Sequence, residues 1–214
     1  MTALEEILEG FRNAALSERE KGTYFEELVL CYLRNEAAYQ DLYSDVWTYA
    51  EWAELNALDK RDTGIDLVAK TLATDEYHAI QCKLYAPQYR VQKSDIDSFF
   101  TASGKKPFSY RLIIATTREA WSEHAESALI DQQPPVSKID LNDLESSQID
   151  WSRYKPAKAP TLKGKKTLRE HQKIALEQVL AGLAVADRGK LIMACGTGKT
   201  FTGLKIAEAQ AGHG

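Results

Sequence analysis

Thr63-Gly64-Ile65-Asp66-Leu67-Val68-Ala69 and Tyr77-His78-Ala79-Ile80-Gln81-Cys82-Lys83-Leu84-Tyr85 are two apolar segments around a polar turn, Ala73-Thr74-Asp75-Glu76. Their pairing as a hairpin, residues 64–72 with 77–85, decides the fold. Side chains alternate faces along a strand with period two. Ile80, Cys82 and Leu84 therefore share one face, and Gln81 and Lys83 share the other. Asp66 stands between Ile65 and Leu67, inside the strand pattern, where it can lie beside Gln81. A carboxylate and an amide oxygen suit a divalent cation such as magnesium. An ammonium on the same face, Lys83, suits the charge of an attacked phosphate. The competing reading is a polar cluster that only satisfies itself.

A neutral amide is a weaker cation ligand than a carboxylate, so this pattern calls for one more acid. Residues 23–35 read as a helix after Gly22, with the stripe Phe25, Leu28, Val29, Tyr32 and Leu33. At about 100° per residue, Glu26 falls at the edge of that stripe and Glu27 nearly opposite it. Glu26 is thus the candidate acid, facing the sheet.

Further elements follow from the same patterns. Thr2-Ala3-Leu4-Glu5 is a capping box for a helix to about residue 19. Residues 46–53 read as a strand, and Ser94-Asp95-Ile96-Asp97 caps a helix with Ile96, Phe99 and Phe100 inward. Residues 110–116 form a buried strand, 122–132 a helix and 136–141 a last strand beyond Pro134-Pro135. The series implies an α/β domain over residues 1–150, with one mixed sheet flanked by helices.

The chain of 214 residues is 44% apolar and 27% charged, with net charge −4. That charge is unevenly divided. Residues 1–151 hold 15 Lys/Arg against 27 Asp/Glu; residues 152–214 hold 12 against 4. An acidic first part argues against gripping nucleic acid by long-range charge alone. A cation, a local basic patch or the basic segment would have to help. No run of about 18 apolar residues is present, which excludes a membrane-spanning helix. From the acidic amphipathic start no secretory leader is expected, and Cys31, Cys82 and Cys195 show no paired spacing. A cytoplasmic location is expected. His78 and His124 have no partner at metal-ligand spacing, and Trp47, Trp52, Trp121 and Trp151 read as core or boundary aromatics.

Residues 151–166 carry Lys155-Pro156-Ala157-Lys158-Ala159-Pro160 and Lys163-Gly164-Lys165-Lys166, and read as a basic, solvated linker. Trp151 could dock that linker onto the first domain. Residues 167–214 change character. A helix at 168–183 precedes a short strand, Lys190-Leu191-Ile192-Met193, then Ala194-Cys195-Gly196-Thr197-Gly198-Lys199-Thr200 and a helix at 201–209. Strand, glycine-rich loop, helix is the setting of a phosphate-binding loop. Gly196, Thr197 and Gly198 would cradle phosphates, Lys199 would reach the terminal ones, and Thr200 would hold magnesium. Met193 stands where the strict pattern has Gly, so the match is to the looser GxGK[ST] form.

The pieces Gly22-Thr23-Tyr24-Phe25-Glu26, Asp62-Thr63-Gly64-Ile65-Asp66-Leu67 and Gln81-Cys82-Lys83-Leu84-Tyr85, in that order, resemble the Mrr-type branch of the PD-(D/E)xK nucleases. The likeness extends weakly through Leu112-Ile113-Ile114-Ala115-Thr116-Thr117 to about residue 145. It implies a restriction-endonuclease-like fold and magnesium-dependent cleavage of double-stranded DNA. Asp66 and Gln81 would be ligands, Lys83 the catalytic lysine and Glu26 the helix acid. No proline precedes Asp66. Leu168-Arg169-Glu170-His171-Gln172-Lys173 with the phosphate loop resembles the start of a superfamily 2 helicase motor, RecA-like in fold. That resemblance implies ATP as a second cofactor, with Gln172 reading adenine; His171 stands where Tyr or Pro is common. Nuclease followed by motor is the order of translocating restriction enzymes, especially the Type ISP kind, with Type I motor subunits sharing the layout. The implied partners are the rest of a motor, a methyltransferase and a target-recognition domain in a longer parent chain. Without a second metal-ordering acid the 214 residues are not expected to hydrolyse ATP. The alternatives are an inert nuclease-like DNA-binding module, or a repair or junction-resolving nuclease fused to a helicase.

Overall fold

The computed structural model describes residues 1–60, 64–156, 158–164, 167–193 and 197–212. The chain divides into two compact units, 1–163 and 164–214. In the first, α1 (Ala3–Ala14), α2 (Glu18–Asn35) and α3 (Ala37–Gln40) precede β1 (Tyr43–Thr48) and α4 (Tyr49–Leu55). The hairpin follows as β2 (Leu67–Thr71) and β3 (Tyr77–Lys83). Then come α5 (Asp97–Ser103), β4 (Phe108–Ala115), α6 (Glu123–Leu129), β5 (Val136–Ile139) and α7 (Leu141–Ser146). The second unit contributes α8 (Glu170–Leu183) and α9 (Lys199–Gln210). Among the described residues no helix is long and apolar enough to cross a membrane.

The sheet is mixed and its spatial order equals its chain order, β1-β2-β3-β4-β5. β1, β2 and β3 are antiparallel neighbours; β3, β4 and β5 run parallel. Parallel neighbours need a crossover, and α5 and α6 provide the two. Both faces of the sheet are covered. Leu67, Ala69, Ile80, Leu112 and Ile114 pack against Leu4, Leu8, Phe25, Leu28 and Leu33 of α1 and α2. Val68, Ala79, Ile113 and Ala115 pack against Trp52, Phe99 and Ala125 of α4 to α6 and against Trp121 just before α6. Two-sided burial is why Leu112-Ile113-Ile114-Ala115 is apolar without alternation. Each fully buried Leu, Ile or Phe there stabilises the fold by about 1.5–3 kcal/mol.

Several boundaries differ from those expected. The first helix stops at Ala14, because Ser17 caps a new helix by accepting from the Glu20 N–H at 3.2 Å. Gly22 therefore lies inside α2 rather than ahead of it. Residues 46–53 are not one strand. Thr48 and Glu51 form a reciprocal capping box that ends β1 and starts α4. Asp140 and Asp143 do the same for α7, which strand periodicity did not announce.

The described residues of 151–163 do not form a free tether. Trp151 is buried with its Nε1 donating to the Leu144 carbonyl at 2.8 Å. Ile149 and Leu162 form an antiparallel bridge, and Lys163 Nζ donates to the Glu145 and Ser147 carbonyls at the end of α7. In the second unit, 190–193 is not assigned as a strand. A strand exists only through a partner, and the described residues of that unit offer it none. Ala194, Cys195 and Gly196 lie outside the described residues.

Candidate active site

The hairpin register, Leu67 opposite Ile80, places Asp66 opposite Gln81 when carried one step further. The Asp66 N–H donates to the Ile80 carbonyl at 3.0 Å, so the ladder does continue to this point. One carboxylate oxygen of Asp66 accepts from the Cys82 N–H at 2.6 Å. That bond turns the side chain back across β3.

Gln81 is 1% exposed. Its Nε2 donates to the Gly64 carbonyl at 3.3 Å, while its Oε1 is buried with no hydrogen-bond partner among the described residues. Gly64 adopts φ +84°, and a Cβ there would stand 3.3 Å from Ser98 Oγ at the start of α5. Only glycine takes that conformation without strain and lets the backbone approach so closely. Gly64 thus fixes one end of the Gln81 amide and leaves the acceptor end open. An unsatisfied buried carbonyl costs about 1–3 kcal/mol. A cation would relieve that cost, so the donor set fits one.

The other two expected members, Glu26 and Lys83, both act electrostatically on Cys82, which lies between Gln81 and Lys83 on β3. Cys82 is partly buried on the α2 side of β3, and burial pushes its thiol well up. The Asp66 and Glu26 carboxylates push it in the same direction, and Lys83 opposes them. A single sulfur thus feels all three charged side chains. Glu26 is partly buried and Glu27 exposed, as helical phase predicts. Glu26 Oε1 lies 3.6 Å from where a Cβ on Gly22 would stand, one turn earlier on α2. Lys83 is partly exposed at the end of β3, opposite Ala115 of β4. Among the described residues no group of three His, Cys, Asp or Glu side chains is placed to hold a metal. Asp66 and Gln81 are the pair that the hairpin register sets side by side.

The second unit carries its own polar geometry. Gly198 takes φ +81° as the N-cap of α9. That conformation favours glycine, and a Cβ there would stand 2.5 Å from Gln172 Nε2, so that the amide would have to shift. Gln172 is 5% exposed, and both ends of its amide are engaged. Oε1 accepts from the Arg169 N–H and Nε2 donates to the Thr197 carbonyl, each at 2.9 Å. Lys199 Nζ donates to the Met193 carbonyl at 3.4 Å, and Thr200 is exposed. A cavity of about 420 Å³ is lined by Thr167, Arg169, Gln172, Thr197, Gly198 and Phe201. Gly196 lies outside the described residues.

Residues 34–161 match a protein family described as restriction endonuclease, of the Mrr catalytic type. The chain belongs to that family. Residues 165–213 of this restriction endonuclease match the family described as the res subunit of Type III restriction enzymes, a helicase-type fragment. Among solved structures it resembles the ATP-dependent Type ISP restriction-modification enzyme LlaBIII bound to DNA, at 36% identity and a TM-score of 0.74. The match covers 97% of this chain and 13% of that one, so the chain spans about an eighth of that enzyme's length. The MspJI restriction endonuclease in complex with a 27-mer oligonucleotide also aligns, at 14% identity over 61% of this chain and 33% of that one. Its TM-score is 0.28, too low to support any comparison of sites. No curated protein matches.

Two residues of this endonuclease domain matter to the site without having been singled out from sequence. Gly64 orients the Gln81 amide, and its signal was a lone glycine within a strand pattern, which marks close backbone approach. Gly22 leaves the space above Glu26 clear of a side chain. A glycine inside a helix costs about 1 kcal/mol relative to alanine, so a reason for its presence is expected.

Proposed function

We propose that the first unit hydrolyses phosphodiester bonds in double-stranded DNA with magnesium, as the cleavage module of an ATP-driven translocating restriction enzyme in the cytoplasm. The observation that supports this most is the Gln81 carbonyl oxygen, buried beside Asp66 and without a partner among the described residues. Asp66 and Gln81 would hold the cation, and Glu26 would add the second carboxylate. When bound, magnesium neutralises charge on the attacked phosphate and lowers the pKa of water near it. The rest falls to the chain. Lys83, on the Gln81 face at the solvent edge of β3, offsets charge that develops on the phosphate oxygens. The Asp66–Cys82 hydrogen bond and the Gln81–Gly64 hydrogen bond fix both ligands before substrate arrives, so little reorganisation is needed.

In the second unit, the proposed ATP site combines the α9 N-terminus with Gly196, Thr197, Gly198, Lys199 and Thr200 on the phosphates. Gln172 and the cavity beside it would take the adenine. The bonds to the Thr197 carbonyl and the Arg169 N–H orient the Gln172 amide and leave its second N–H and second oxygen lone pair for the base. The remaining motor, methyltransferase and target-recognition parts would belong to a longer parent chain.

The direct test is plasmid cleavage with magnesium by Asp66→Ala and Lys83→Ala proteins. Each should lose on the order of 10²-fold in rate or more. Asp66→Ala should also abolish manganese binding followed by calorimetry. Wild-type cleavage by either variant overturns the assignment.

A further inference from the structure

Residues 84–94, leading from Lys83 towards α5, read Leu-Tyr-Ala-Pro-Gln-Tyr-Arg-Val-Gln-Lys-Ser. They hold two cations and no carboxylate, within a strongly acidic unit. Their backbone is held from behind. The Tyr85 carbonyl accepts from Arg12 Nη2 at 2.6 Å and from Thr116 Oγ1 at 2.7 Å. The Pro87 carbonyl accepts from Thr117 Oγ1 at 3.1 Å and from the Arg118 N–H at 2.9 Å. The single Thr117 hydroxyl proton is shared between the Pro87 and Tyr89 carbonyls, and the Ser122 N–H donates to the Val91 carbonyl. Thr116 and Thr117 are buried, so their hydroxyls are committed to this segment. Val91 is 1% exposed, and Tyr85 stacks on Tyr89 at 4.3 Å.

The outward side chains are a different matter. Lys93 is paired with Asp97 at 2.5 Å, and Asp95 is taken by the Tyr89 hydroxyl and the Gln92 N–H. Among the described residues, the exposed Arg90 guanidinium and Gln88 amide have no hydrogen-bond or ion-pair partner. A rigid loop has already met the entropy cost of ordering, so its free donors bind with less loss. A guanidinium without a carboxylate partner, in an otherwise acidic unit, is matched to phosphate.

Resting on the nuclease reading above, we propose that this loop grips the duplex beside the cleavage site. Arg90 and Gln88 contact backbone phosphates and sugars flanking the bond to be cut. The contact is independent of sequence. It supplies the local cationic grip that the negative charge of the domain otherwise denies it.

The test measures binding of the 214-residue chain to a labelled DNA duplex by fluorescence anisotropy. Calcium replaces magnesium, and several salt concentrations are used. Arg90→Ala should weaken binding several-fold and reduce the slope of log K against log salt by about one. Arg90→Glu should weaken it further. Lys70→Ala, at the opposite end of β2, makes the same charge change and should leave the slope alone. Among the described residues the Arg90 guanidinium has no hydrogen-bond or ion-pair partner, so thermal melts of its variants should match the wild type. Unchanged affinity and slope for both Arg90 variants, or an equal change for Lys70→Ala, overturns the loop assignment while the nuclease reading stands. A wild-type chain that neither binds nor cuts the duplex overturns both.

Discussion

Gln81 shows how one amide serves two purposes: its nitrogen is anchored to the Gly64 carbonyl, and its oxygen is left open beside Asp66. A carboxylate at this position would bind a cation more strongly but would lose the donor that fixes its orientation. His78, three residues earlier, is the opposite case. It is buried in the first core, accepts or shares a proton with the Tyr43 hydroxyl at 3.1 Å, and packs on Tyr110 at 5.0 Å. Burial lowers its pKa. The unfolded chain then binds a proton that the folded chain resists, so stability is complete above about 6.5 and falls as pH drops through and below it. Urea melts at pH 7.5 and 5.5 should show that loss, and a His78→Phe protein should lack this component. Stability that rises on acidification would contradict the assignment.

At the scale of elements, the faces of the hairpin were legible because a period of two is a strong signal. Ile80 and Cys82 lie in the first core, and Ala79, on the Gln81 and Lys83 face, lies in the second. The break at Thr48 was harder to read, because Val46-Trp47-Thr48-Tyr49 continues a β-like composition into α4. Only the Thr48–Glu51 box marks it. Thr48→Ala removes the acceptor for the Glu51 N–H and should cost about 1 kcal/mol in a urea melt. Trp52 and Ala53 of that helix close the second core, so a loss under a few tenths would mean α4 is held by packing alone. Arg111 is a further element-scale feature that periodicity could not reveal. It is 2% exposed in the middle of β4 and donates to Ser103 Oγ, Gln132 Oε1 and the Pro134 and Phe100 carbonyls. A cation in a strand reads as solvent-facing until those acceptors are in place.

At the scale of the whole molecule, composition placed a linker where the first unit is still being completed. Lysine and proline are common in tethers, but Trp151, Leu162 and Lys163 return to α7. A fragment ending at residue 163 should therefore melt as a cooperative unit. One ending at residue 150 lacks the Trp151 ring and should lose about 3–5 kcal/mol. Equal melting temperatures for the two would show that residues 151–163 contribute nothing to the first unit.

The sequence by itself determined the mixed sheet, the hairpin carrying Asp66, Gln81 and Lys83, the helix carrying Glu26, and the glycine-rich loop ahead of α9. Those follow from local periodicity and short spacings, which a chain displays without being folded. Only the tertiary structure decided that the Gln81 oxygen is open, that Gln172 is already bonded to Thr197, and that the lysine-rich segment is docked. Each of these depends on which donor or acceptor another element brings within about 3 Å. That distance is set by packing, and no stretch of the chain encodes it alone.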